Sequence, residues 1–129
     1  MQTFEKTITV IEDDLDQLNH VNNVRYVQWV QDMAEAHWLQ NASKAILDQF
    51  FWVLVSHIID YKNQAVLGDE LKLKTYVSSS EGFFSIRQVE IYNASNGKLL
   101  VKSETKWCLM DLKKKRPSKI PSELATLFD

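Results

Sequence analysis

The sequence has little of what an oxidising, fibrous or membrane setting demands. One cysteine, Cys108, stands among 129 residues. That excludes an internal disulfide framework and a zinc site built on several thiolates. Two prolines and three glycines leave no collagen-like repeat and no Pro/Gly-rich linker. A net charge of -2 lacks the basic excess of a phosphate-neutralising surface, so nucleic acid is not expected as a partner. The longest apolar run, residues 50–55, falls well short of the ~20 residues a spanning helix needs. Residues 1–6 hold no signal-peptide core, so a cytoplasmic protein with no membrane partner is the expectation. What is present, 45% hydrophobic and 25% charged residues, is the balance of a globular chain. It predicts one domain over residues 1–129, long enough to bury a core without disulfides or metals.

Periodicity orders the chain. Phe4, Ile8 and Val10 alternate with polar residues, Lys6 breaking the stripe, which predicts a strand over residues 4–11. Residues 12–23 are polar, with three aspartates, three asparagines and a histidine. From Val24 the spacing turns helical. Val27, Val30, Ala34 and Trp38 form one stripe, and Tyr26, Trp29, Met33 and Ala36 a second beside it. A stripe that wide predicts a helix to about Asn41 buried on most sides, with Asn22 as N-cap. A short helical piece over residues 43–50 follows.

The remainder reads as strands. These are residues 52–61, the alternating run from Leu71 to Val77, residues 83–92, and a long strand from Leu99 to Met110. Turns fall at Gly68-Asp69, at residues 78–82 and at Asn96-Gly97. In the last strand Leu99, Val101, Ser103, Thr105, Trp107 and Leu109 share one face; Cys108 falls on the other, mostly polar one. Pro121 opens a short helix over residues 122–127. One strand, one buried helix, then four strands fit an α+β arrangement. In it a five-stranded antiparallel sheet wraps a single long helix, the hotdog fold.

Chemistry concentrates between Asp14 and Trp29. A loop of carboxylates, carboxamides and His20 runs straight into the long helix. The first N–H groups of a helix lack internal partners and lie at the positive end of its dipole. Around Asn23, Val24 and Arg25 such groups can hold the oxyanion that forms when a carbonyl is attacked. Asp16 and His20 beside them are candidate base, nucleophile or acid. Acyl transfer or hydrolysis is one reading; an Asx-rich loop that only caps the helix is the other.

The 16-residue stretch matches D-x-D-x-x-x-H-V-N-N-x-x-Y-x-x-W at every specified position. That pattern resembles the motif of hotdog acyl thioesterases, the 4-hydroxybenzoyl-CoA thioesterase-like superfamily, and above all its acyl-ACP thioesterase-like members. Leu67-Gly68-Asp69-Glu70-Leu71 is similar to that family's entry to its third strand. Trp107 to Asp111 and Arg116 to Pro121 resemble its closing segment. The resemblance implies hydrolysis of acyl-CoA or acyl-ACP with no cofactor and no metal. It implies Asp16, His20 and Asn23 as catalytic, Asn23 through its backbone N–H, and Asn22, Val24 and Tyr26 as substrate-binding. It also implies a homodimer or homotetramer with sites at subunit interfaces. Two positions depart from the pattern. Leu18 stands where some acyl-ACP thioesterases carry an asparagine, and Asn19 where many bacterial members carry glycine. The alternative is a hotdog protein that binds acyl thioesters without cleaving them.

Other candidates read as structural. His37 lies on the helix stripe and His57 in a strand, and the three histidines share no metal spacing. Nothing local activates Cys108. Lys113, Lys114, Lys115, Arg116 and Lys119 form a basic cluster, either a solvated loop or a contact for coenzyme A phosphates or an acidic carrier.

Overall fold

The computed structural model describes residues 1–129. Strand β1 (Thr3–Thr9) leads through a 3₁₀ turn, Glu12–Asp14, into helix α1 (Asn23–Asn41). Helix α2 (Lys44–Gln49) follows, capped by the Ser43 hydroxyl on the Ile46 N–H. Strands β2 (Phe50–Tyr61), β3 (Glu70–Glu81), β4 (Phe84–Asn93) and β5 (Leu99–Asp111) come next. A two-residue strand β6 (Arg116–Pro117) and helix α3 (Ser122–Ala125) end the chain. The sheet is antiparallel, in the order β1-β3-β4-β5-β2, with β6 beside β5. The expected α+β hotdog arrangement is therefore present, with β6 added to its five long strands.

The core lies between α1 and the sheet. Tyr26, Val30 and Met33 of the helix meet Leu71 and Leu73 of β3, Val89 and Ile91 of β4, and Val101 of β5. Each such side chain, fully buried, contributes about 1.5–3 kcal/mol. The helix packs chiefly on β1, β3 and β4. It does not sit centrally, and a gap stays open over the β5–β2 half of the sheet.

Four expectations need correction. Helix α1 is not buried on most sides: Gln28, Gln31, Asp32, Glu35 and Leu39 are exposed, and only a stripe from Tyr26 to His37 is covered. Residues 78–81 are not a turn but the end of β3. A register shift between Val77 and Ser79 carries the ladder on, and serine hydroxyls bond across it, Ser78 to the Ile86 carbonyl and Ser80 to Ser85. The turn narrows to Gly82-Phe83, where Gly82 takes φ +63° without the clash a side chain would bring. Cys108 is buried, because its cross-strand neighbours are Val53 and Phe84 and apolar neighbours on one face shield one another. Pro121 is the N-cap of α3, which ends at Ala125.

Strands β1 and β2 are the sheet's edges. Edge β2 is 12 residues long and carries exposed Val53, Val55, Ile58 and Tyr61.

Candidate active site

The start of α1 is built as its sequence suggests. Asn22 is the N-cap in extended conformation, and its side-chain oxygen accepts the Val24 N–H at 3.0 Å. The Arg25 N–H donates to the Asn22 carbonyl at 2.9 Å. Of the three candidate amides, only the Asn23 N–H finds no acceptor within the chain.

The motif's first aspartate is a staple. Asp14 is buried, accepts the Ile11 N–H at 2.9 Å and pairs with Arg25 Nε at 3.0 Å. Arg25 Nη2 also donates to the Asp13 carbonyl. This fastens the loop to the first turn of α1. Asp16 closes a tight turn. Its N–H donates to the His20 carbonyl at 2.8 Å, and its Oδ1 accepts from the amides of Leu18 at 2.9 Å and His20 at 3.2 Å. Asn19 sits in that turn at φ +63°. Asparagine is among the few non-glycine residues that tolerate this region. Asp16 Oδ2 forms no hydrogen bond within the chain.

Val21 donates to the Ala65 carbonyl and His20 bridges to Val66, so the loop lies against the chain that leaves β2. Between them opens a cavity of about 430 Å³. Asp16, His20, Asn22, Asn23 and Tyr26 line one side. Tyr61, Lys62, Asn63 and Gln64 line the other, and Leu18 is at the rim. Five of the six site residues read from the sequence thus meet at one cavity. The sixth, Val24, is 73% exposed, lies off the cavity, and its N–H is taken by the cap. The 61–64 wall had no signature in the sequence beyond following a strand. Tyr61 reaches across it, its hydroxyl donating to the Asn23 carbonyl at 3.4 Å.

The Tyr26 hydroxyl is buried and unpaired. Burial pushes its pKa up to about 12. The Ala65 backbone pulls the other way, by less than burial pushes.

The other histidines lie elsewhere. His37 is 1% exposed and fully engaged: Nδ1 accepts from Arg87 Nη1 at 2.8 Å and Nε2 donates to Gln2 Oε1 at 2.6 Å. Burial, then the Arg87 charge, pushes its pKa down to about 4. His57 bonds Ser103 Oγ at 2.7 Å, and burial lowers its pKa. The basic cluster is an exposed turn held by Asp111, which accepts the Lys113 and Lys114 amides.

A second cavity, about 290 Å³, fills the gap between α1 and the β5–β2 half of the sheet. Trp38, Phe51, Trp52, Trp107 and Phe128 wall it, and Arg87 is at its lining. Sequence reasoning passed over Arg87. The signal was parity: it falls in the inward set with Ser85, Val89 and Ile91.

The chain matches the family described as acyl-ACP thioesterase N-terminal domain over residues 1–128. A stretch of 73 residues, 57% of the chain, is 30% identical to the acyl-[acyl-carrier-protein] hydrolase FATB3, chloroplastic, of Cuphea viscosissima, and spans 18% of that protein. YbaW, a probable thioesterase from Escherichia coli, superposes with a TM-score of 0.82 at 25% identity, covering 95% of this chain and 94% of its own. Slr0204, a 1,4-dihydroxy-2-naphthoyl-CoA thioesterase from Synechocystis, does so with a TM-score of 0.83 at 21% identity, covering 98% and 95%. No helix is long and apolar enough to cross a membrane. With a family match across nearly every residue and neighbours that superpose over sheet and helix alike, this chain belongs to the acyl-ACP thioesterase N-terminal domain family and has the hotdog fold.

Proposed function

We propose that the protein hydrolyses an acyl thioester, of coenzyme A or of an acyl carrier protein, to the free acid and the thiol. One observation carries this reading: Asn23, whose N–H is left unbonded by the helix, lines the same cavity as Asp16. The Asn23 N–H, at the positive end of the α1 dipole, donates to the thioester carbonyl and stabilises the developing oxyanion. Asp16, through its free Oδ2, takes the proton of an attacking water; collapse of the tetrahedral intermediate breaks the C–S bond, and the leaving thiolate takes that proton from Asp16. If Asp16 instead adds to the carbonyl itself, C–S cleavage leaves an acyl-aspartyl anhydride, and water then hydrolyses it to the free acid and the Asp16 carboxylate, its second proton going to the thiolate. His20, at the wall of the cavity, orients the carbonyl. Asn22 holds the helix start by its cap, and the Tyr26 side chain forms part of the wall against which the substrate lies.

The working unit in this reading is a homodimer or a homotetramer. Its support is the unpaired β2 edge with apolar side chains on it, an arrangement that pairs with another strand unless blocked. Antiparallel pairing of two β2 strands about their middle sets Tyr61 of one copy opposite Phe50 of the other. The first copy's Asp16–Asn23 cavity then lies beside the second copy's aromatic cavity. The test is thiol release from a panel of acyl-CoA and acyl-carrier-protein thioesters of varied acyl group. Saturable release on at least one is expected, and no release on any overturns the proposal.

A further inference from the structure

Arg87 is out of place for a purely structural cation. It is 5% exposed, on the inner face of β4, and no carboxylate lies within ion-pair distance. Its hydrogen bonds run through one nitrogen: Nη1 donates to His37 Nδ1 at 2.8 Å and to Thr75 Oγ1 at 3.0 Å. Its Cζ lies over the Phe128 ring, 5.2 Å from the ring centre. Nε and Nη2 have no acceptor in the chain. Burial lowers its pKa to about 10, with no acidic neighbour pulling it back up. A buried cation without an ion-pair partner is costly, and Arg87 lines the 290 Å³ cavity. Asp32 and Glu35 also line that cavity, but both are exposed on α1 and form its rim rather than its floor.

The cavity has about twice the ~150 Å³ that holds a benzene molecule. Its walls are aromatic and its one buried charge is a guanidinium, whose fork suits a carboxylate or other oxygen acceptor. Along β2, Phe51 and Tyr61 are roughly 30 Å apart at strand rise, while on α1 Tyr26 of one cavity and Gln28 of the other are only two residues apart, so the two cavities approach each other along the helix and diverge along β2. Across a β2–β2 pair they are neighbours.

We infer that this cavity is the subsite for the far end of the acyl group, and that Arg87 selects acyl groups bearing an oxygen acceptor there, a carboxylate or an aromatic hydroxyl, over plain alkyl or aryl groups. The inference rests on the thioesterase reading and on the paired arrangement, and it names the substrate class of that same site. Matched pairs test it: octanoyl-CoA against the coenzyme A thioester of octanedioic acid, and benzoyl-CoA against 4-hydroxybenzoyl-CoA. Hydrogen bonds to a charged group predict a preference of about tenfold or more in kcat/KM for the oxygen-bearing member of at least one pair. In Arg87→Met that ratio falls to about 1, chiefly through KM. In Arg87→Lys the carboxylate preference is partly retained. Equal kcat/KM within both pairs for the wild-type enzyme overturns the inference and leaves hydrolysis standing.

Should Arg87→Met fail to fold, calorimetry on the wild-type protein with methyl octanoate and monomethyl octanedioate decides, since it needs neither variant nor turnover and masks the carboxyl that the thioester occupies. Tighter binding of the half-ester, with its free carboxylate, supports the subsite, and equal binding refutes it. If no thioester is cleaved yet the half-ester binds tighter, the proposed hydrolysis fails while the subsite holds.

Discussion

Replacing Asp16 by asparagine separates a chemical role from a structural one. The Asp16 carboxylate does two things at once. Oδ1 accepts two backbone N–H groups of its own turn, and Oδ2 is free. Asparagine keeps an acceptor at Oδ1 and removes basicity and charge. The turn therefore survives Asp16→Asn, and stability falls by less than about 1 kcal/mol. Turnover falls by roughly 10²–10⁴, the worth of a general base, which is about 3–5 kcal/mol of barrier. A nucleophilic Asp16 loses more. KM changes little, because the acyl group and the thiol carrier are held elsewhere, provided chemistry limits the rate. Asp16→Ala loses both turn hydrogen bonds as well, about 1 kcal/mol each. Its melting temperature drops by about 8 °C, at about 4 °C per kcal/mol for a domain of this size. The assay is steady-state thiol release with the best acyl substrate, alongside thermal melting of both variants. An aspartate that only closes its turn gives the opposite pattern, with Asp16→Ala unstable and Asp16→Asn fully active. A folded Asp16→Asn enzyme at wild-type turnover ends the catalytic assignment.

Three further outcomes follow from the structure. His37 is neutral when folded, with its pKa pushed down to about 4, while the unfolded side chain takes up its proton near 6.5. Stability is therefore full above about pH 6.5 and declines as pH falls toward 4, by up to about 3 kcal/mol from this residue. Denaturant melts from pH 7 to 4.5 should show a shallower decline in His37→Gln, and identical slopes refute the assignment. Tyr26→Phe removes an unpaired buried hydroxyl, so the free protein is unchanged or gains up to about 1 kcal/mol; a loss above that shows the hydroxyl is bonded after all. Ile58 is 61% exposed on the β2 edge and pairs with Glu104 across the ladder, so Ile58→Lys is tolerated by the fold and blocks edge pairing. Light scattering at micromolar concentration should show a wild-type oligomer and a monomeric, inactive variant; a monomeric wild type refutes the paired arrangement.

What the residues determined alone was local. The Asn22 cap needs only a short acceptor side chain before a helical run. The α1 stripe and the alternation in β3 and β5 need only periods of 3.6 and 2. Asp16, His20, Asn22, Asn23 and Tyr26 meet at one cavity because seven-residue spacing from Asp16 to Asn23 spans one tight turn and one helix start. Spacing within a segment survives any tertiary arrangement, so it was legible in the motif. The wall of residues 61–64 was not, because it reaches the site through the Val21–Ala65 and His20–Val66 contacts, between segments some forty residues apart. The off-centre seating of α1 was decided only by packing: the helix covers β1, β3 and β4, and the uncovered half of the sheet becomes the aromatic cavity. The same packing turned Cys108 from a polar-face residue into a buried one, and left Arg87 without a carboxylate. Periodicity reports which way a side chain points; only the assembled sheet and helix decide what it meets there.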